Sequence, residues 1–163
     1  MTARPRLEST HLVLVPQTLA AARALLAGED PGLPLAEGYP HADTFDALRM
    51  VVEHGGPDDG GWFVLLRDDS GDGRVVGDLG TFGPPDDEGV VEIGYGLAAP
   101  YRGRGIGTEA VGTFVDWLVT VPGVRRVVAR VEVGNEASRR LLARIGFGLT
   151  GEADGHWNLE RPA

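Results

Sequence analysis

The sequence predicts a mixed α/β domain centred on one sheet, and three observations predict it. Short apolar runs of strand length are interspersed with longer segments whose apolar residues recur at i, i+3 and i+4. Clusters of Gly, Pro and Asp separate these runs, in a chain with 25 Gly and 11 Pro among its 163 residues. The resulting order, β-α-α-β-β-β-α-β-α-β-β, places three consecutive strands in hairpin-like succession before a β-α-β-α alternation.

Each element has a local reason. "LVLVP" (12–16) reads as a short strand. "TLAAARALLAG" (18–28) reads as a helix with Thr18 as its N-cap and Gly28 just past its end. Residues 28–42 form a loop by their Pro and Gly content. The segment 43–56 reads as a second helix, capped by Asp43, with Phe45, Leu48 and Val52 on one face. "WFVLLR" (62–67), "RVVGDLGTF" (74–82) and "VVEIGYGL" (90–97) read as strands joined by turns rich in Asp, Gly and Pro. From Ile106, a helix buries Gly107, Ala110, Val111, Phe114, Val115 and Leu118, and "VPG" (121–123) stops it. In 124–133, Val127, Ala129, Val131 and Val133 alternate with Val128, Arg130 and Glu132 as in a strand. Asn135 caps a helix over 135–146 that Gly146 terminates, and two short strands near 147–152 and 155–160 finish the chain.

The length fits one domain over 1–163, large enough to bury a core without metal or disulfide support. With no Cys there is no disulfide framework and no thiol nucleophile. No apolar leader opens the chain and no stretch approaches membrane-spanning length, so a soluble cytoplasmic protein is expected. All 15 basic residues are Arg, which excludes Schiff-base lysines and a phosphate-loop lysine. The four His (11, 41, 54 and 156) have no metal-ligand spacing, so no metal is expected.

The net charge of −9 argues against nucleic acid as a partner. It is also uneven. Residues 29–92 carry sixteen Asp and Glu against three Arg, whereas residues 100–147 carry eight Arg against four acids. That asymmetry suggests one subsite for a cation and one for an anion, although surface acids also serve solubility.

The anion subsite is best marked by "PYRGRGIGTEA" (100–110), with glycines at 103, 105 and 107 between a strand and a helix. A helix N-terminus presents unpaired N–H groups and the positive end of its dipole. Glycines let an anion approach that backbone, and Arg102 and Arg104 add charge, so a phosphate or pyrophosphate site is expected. Two familiar motifs fail: no Lys follows the last Gly, and the spacing is G-x-G-x-G rather than G-x-G-x-x-G.

Arg102-Gly103-Arg104-Gly105-Ile106-Gly107 resembles the Q/R-x-x-G-x-G/A motif of the GNAT superfamily of N-acetyltransferases. "NEASRRLLARIGF" (135–147) resembles that family's second signature, and "RLESTHLVLVP" and "EIGYGL" look most like its RimJ/RimL branch. The resemblance implies that fold, with two central parallel strands splayed after "EIGYGL" around acetyl-CoA. It implies pyrophosphate held by backbone N–H groups of residues 103–108, including Thr108, and a pantetheine arm pairing near Leu97. Asn135 would touch the arm or simply cap its helix. Dimers are common in that branch. The acceptor it implies is a primary amine, either a protein N-terminus or a small cationic metabolite or antibiotic.

Acetyl transfer needs a neutral amine, and amines of pKa about 8 to 10 are mostly protonated at neutral pH. A carboxylate can take that proton. Glu92 is the first candidate, because it shares a strand face with Gly94 and Gly96, which leave room for a ligand above it. Glu132 is the reserve. The leaving thiolate needs modest help. The Tyr that many family members place seven residues after the helix Asn is Leu142 here, so Ser138 becomes the candidate acid. Tyr95 points to the apolar face and Tyr101 precedes the glycine loop, which makes both weaker candidates. Tyr39, His41 and Asp43 could line the acceptor pocket; Trp62, Phe82 and Trp157 read as core or edge aromatics. The rival readings are a CoA-binding module without turnover and a transferase using another acyl-CoA.

Overall fold

The computed structural model describes residues 4–54, 61–69 and 71–163. The elements in chain order are β1 (Leu7–Glu8), β2 (Leu12–Pro16), α1 (Leu19–Ala27), α2 (Ala42–His54), β3 (Trp62–Asp68), β4 (Gly71–Thr81) and β5 (Val90–Leu97). A single 3-10 turn, Ala99–Tyr101, leads to α3 (Ile106–Leu118), β6 (Arg126–Glu132), α4 (Glu136–Arg144), β7 (Gly148–Ala153) and β8 (His156–Pro162). Among the described residues, the eight strands form one sheet in the order β1-β2-β3-β4-β5-β6-β8-β7. Neighbours are antiparallel except β5 and β6, which run parallel. No described helix is long and apolar enough to cross a membrane.

Period-2 alternation splits the core between the two faces. Leu12, Leu14, Trp62 and Val64 pack with α3 and α4, whereas Val13, Phe63 and Leu65 pack with α1 and α2. The expected face of α3 is buried, with Phe114 and Val115 fully inaccessible. Truncating Phe114 to Ala would cost about 3–5 kcal/mol by the usual large-to-small penalty. Trp62 and Trp157 are core residues, as expected.

Several local expectations are corrected. The short β1 and the 3-10 turn were not visible as periodicity, since neither is long enough to show one. The strand expected over 124–133 is shorter, and Val133 lies beyond it with 45% of its surface exposed. Asp43 does not cap α2. It lies in the first turn, and His41 holds the cap position with its Nδ1 3.2 Å from the Thr44 N–H. The buried stripe of that helix therefore centres on Thr44 and Leu48 rather than on Phe45. Residues 55 and 56, the expected end of that helix, lie outside the described residues.

Candidate active site

The parallel strands β5 and β6 stay paired only over Val90–Glu92 against Arg126–Val128. They therefore part at the start of "EIGYGL", not after its end. The pairing expected at Leu97 also meets a competitor, because Arg102 Nε donates to the Leu97 carbonyl at 2.9 Å. A cleft of about 480 Å³ lies where the strands diverge, lined by Glu92, Ile93, Gly94 and Tyr95 on one side and by residues 129–132, Asn135 and Ser138 on the other.

At the far end of β5 stands the glycine loop. Gly103 and Gly105 have φ of +71° and +81°, a backbone region that L side chains resist, and a Cβ on either would meet no atom within 4 Å. No side chain caps α3 at Gly105, so no capping side chain competes for its first N–H groups. That arrangement fits a phosphate group. Arg102 and Arg104 are exposed beside it, the latter with its guanidinium 5.7 Å from the Tyr101 ring centroid. Gly107 serves another purpose than anion approach. It is buried, and a Cβ there would come within 2.9 Å of Leu141 Cδ1. Ile106 is buried beside it, and Thr108 is half-buried on the first turn of α3.

Asn135 caps α4, its Oδ1 accepting the Ser138 N–H at 3.2 Å. Ser138 Oγ lies 2.5 Å from the Tyr95 hydroxyl. Tyr95 does face the apolar, helix-covered side of the sheet, as its alternation requires. Its ring is long enough, however, to carry the hydroxyl across to α4. Burial pushes the Tyr95 phenol above its ordinary range, against the Ser138 hydrogen bond. Leu142 is fully buried and supplies no polar group.

Glu92 is half-buried on the cleft wall, with no Arg paired to its carboxylate among the described residues. Glu132 is exposed on the opposite wall. The space above the neighbouring glycines is not empty, contrary to the sequence expectation. The Phe82 ring covers Gly94 and the His41 imidazole covers Gly96, with closest atoms 2.8 and 2.6 Å from where a Cβ would stand. Phe82 is neither a core nor an edge-strand aromatic; it lies just past the central strand β4, 58% exposed, with its N–H donating to the Glu92 carbonyl at 2.9 Å.

Beyond these two rings opens a second cavity of about 560 Å³, between α2 and the β4–β5 pair. Its wall includes Ala47, Met50, Val51, Leu79, Phe82 and Pro84, with Asp43, Asp46, His41 and Asp78 as polar points. It shares Asp43, Phe82, Gly94 and Tyr95 with the cleft, so the two spaces meet there. Tyr101 lines neither of them.

Sequence reasoning missed the group at the base of this cavity. Asp78 is buried in the middle of β4, directly opposite Gly96. Its Oδ2 accepts from Thr44 Oγ1 at 2.7 Å and from the Tyr39 hydroxyl at 3.0 Å. Burial pushes the Asp78 carboxyl up, opposed by those hydrogen bonds and by His41. Burial and the neighbouring Asp78 hold the Tyr39 phenol far above its ordinary range. Tyr39, expected as a pocket wall, is instead a buried partner of Asp78. The available signal was one acid inside "VVGDLGTF", a run otherwise free of charge.

The comparisons with known proteins agree with this geometry. The family description "Acetyltransferase (GNAT) domain" matches residues 11–148. An uncharacterized N-acetyltransferase of Bacillus subtilis, YjdG, is 29% identical over 114 residues, 67% of this chain and 66% of that protein. The chain thus spans just under two thirds of that relative's length. A putative GNAT-family acetyltransferase structure from Bordetella pertussis is 26% identical, with a TM-score of 0.65 over 97% of this chain and 99% of that one. The RimL ribosomal L7/L12 acetyltransferase structure, in complex with coenzyme A, shares the fold at a TM-score of 0.66 and 18% identity, covering 97% of this chain and 98% of its own. By the family match over most of its length, the chain belongs to the GNAT acetyltransferase family.

Proposed function

We propose that this protein is an acetyl-CoA-dependent N-acetyltransferase of the RimJ/RimL kind, acting by direct attack of a primary amine in a ternary complex. The observation that carries the reading is the meeting of cleft and cavity at Gly94 and Tyr95, with Glu92 lining the cleft and Ser138 facing Tyr95. Bound acetyl-CoA supplies an activated acyl carbon and a thiolate leaving group.

The chain supplies the rest. Backbone N–H groups of residues 103–108 would hold the pyrophosphate, with Arg102 and Arg104 adding charge, and Asn135 would contact the pantetheine arm. Glu92 takes a proton from the attacking nitrogen. Ser138 gives a proton to the sulfur, and Tyr95 stands behind it as the source. Glu132 is too exposed to rival Glu92. The acceptor cavity has an apolar wall with Asp43 and Asp46 near one end, which favours an amine on an apolar body, whether a small molecule or a protein N-terminus.

A CoA-binding module without turnover is the second reading, favoured by the fully buried Leu142 where a proton donor is usual in the family. Thermal unfolding of ligand-free protein with acetyl-CoA, CoA, ATP or NAD tests the cofactor first. A ligand at a hundredfold its Kd adds about 2.7 kcal/mol. Stabilisation by both CoA species alone supports the reading. An amine panel scored by free-thiol release then separates enzyme from module, since the module releases no thiol with any amine.

A further inference from the structure

Gln17 is a buried polar residue whose side chain the reaction above does not use. It directly follows β2, with 6% of its surface exposed. Its backbone is engaged: the N–H donates to the Gly61 carbonyl at 2.8 Å, and the carbonyl accepts from Arg4 Nη2 at 2.8 Å. Its side-chain amide makes no hydrogen bond among the described residues. A carboxamide has two hydrogens to give and an oxygen to accept with. Burying it unpaired costs free energy that a Leu in the same place would not, so its presence asks for a reason. Gln17 lines the acceptor cavity, and its Oε1 lies 3.4 Å from where a Cβ on Gly61 would stand.

Its place in the sheet suggests one. Strands β2, β3, β4 and β5 lie side by side. Gly61 stands beside Gln17 just before β3, Gly80 beside Gly61 on β4, and Gly94 opposite Gly80 on β5. All three line the cavity. These glycines have a packing reason of their own, since a Cβ on Gly61 would strike the Leu79 carbonyl and one on Gly80 would stand 2.9 Å from Gly61 Cα. Their consequence is a row without side chains that runs from Gln17 to the junction with the cleft, where only the Phe82 ring lies over Gly94. Neighbouring strands lie about 4.8 Å apart, so three steps separate Gln17 from Gly94 by about 14 Å. The other polar groups of the cavity are engaged or lie near the junction. Asp78 holds Thr44 and Tyr39, Asp46 holds Arg49 at 2.8 Å, and Asp43 lines cavity and cleft together.

We propose that Gln17 determines acceptor specificity by selecting amines that carry a carboxamide or peptide group at the far end of an apolar body. The proposal rests on the acetyltransferase reading. With the reacting nitrogen at the junction, the body lies along the glycine row against Met50, Val51 and Leu79. The far amide then meets Gln17, whose NH₂ donates to the acceptor's carbonyl while Oε1 accepts its N–H. An alkyl end leaves the Gln17 amide buried and unpaired, which is the physical basis of rejection. A carboxylate or an ammonium satisfies only one half of the pair. A small molecule ending in a carboxamide and an early peptide group of an extended protein N-terminus offer the same chemistry.

Thiol release with ω-amino carboxamides of increasing length, set against alkylamines of matched length, tests the selection. Wild type should favour the carboxamide in kcat/KM by about 10-fold at the best length. Gln17→Leu keeps the volume but drops the amide, and should erase that preference. Equal kcat/KM for both series in wild type would overturn the proposal. So would a Gln17→Leu loss of the same size on both series, which would make Gln17 a support for the end of β2. Gln17→Glu is a second variant, expected to turn the preference from carboxamides to diamines; an unchanged carboxamide preference would again overturn it. Short peptide amides run beside the ω-amino carboxamides separate the two sources, the faster series naming a protein N-terminus or a small metabolite. Calorimetric binding of the N-acetylated products needs no turnover. If wild type releases no thiol with any amine, the acetyltransferase reading fails on its own. Tighter binding of the N-acetylated carboxamide than of its alkyl counterpart, lost in Gln17→Leu, would still support the role of Gln17, and equal binding would overturn it.

Discussion

The Tyr95 hydroxyl and Ser138 Oγ lie 2.5 Å apart, tying the middle of β5 to the first turn of α4 across the cleft. Either hydroxyl can donate to the other, so on the proposed mechanism the pair acts as one proton source. Tyr95→Phe and Ser138→Ala should each slow thiol release by about 10²-fold, and the double variant should be hardly slower than either. Rate constants at saturating acetyl-CoA provide the check. Losses that multiply would show that the two hydroxyls work separately.

Glu92 carries the clearest single-residue expectation. Glu92→Gln keeps the shape of the cleft wall but cannot accept a proton, so kcat/KM should fall by about 10²- to 10⁴-fold. Stabilisation by CoA should be unchanged, because the carboxylate is remote in sequence and strand position from the glycine loop. Parallel kinetics and thermal shifts on one preparation separate the two effects.

Two glycines of the loop should respond differently. Gly105→Ala forces a side chain into φ +81°, costing about 1–2 kcal/mol, and crowds the α3 N–H groups, so stability and CoA affinity should both drop. Gly107→Val drives against Leu141 and should destabilise by about 1–3 kcal/mol. Its CoA affinity should change less for the same loss of stability. Calorimetric CoA titration beside melting curves distinguishes them.

Glu109 should make the fold acid-sensitive. Burial pushes its carboxyl up, but hydrogen bonds from Ser9 and from the backbone and ring of His11 outweigh that and hold it low. A depressed carboxyl contributes stability above its unfolded pKa, about 4.3, and loses it as pH falls through the folded value. Glu109→Gln should therefore melt below wild type at pH 7, with the gap closing under strong acid.

Asp78 has the opposite sign. Its raised carboxyl stabilises the fold only while protonated, a contribution lost as pH rises through the folded value. Asp78→Asn should match wild-type stability in acid and equal or exceed it near neutrality. A variant that melts well below wild type at every pH would contradict this.

The legible part of this protein lay in patterns that run along the chain. The buried face of α3 followed from 3.6-residue spacing, and the strands from alternation. The glycine loop followed from three small residues at a strand–helix junction. The apolar side of β5 was also correct for Tyr95, because side-chain direction is set by the residue's own backbone. The distance a side chain spans is not: only the packing of α4 against β5 brought that phenol to Ser138. The same limit applies to Gly94 and Gly96, which read as open space until Phe82 from beyond β4 and His41 from the start of α2 were laid over them. Asp78 pairs with Gly96 through sheet register, and with Thr44 and Tyr39 through a helix and a loop more than thirty residues away. Local sequence determined which elements form and which way each residue points. The tertiary structure decided which polar atoms meet, because those contacts depend on long-range register and helix docking that no local period records.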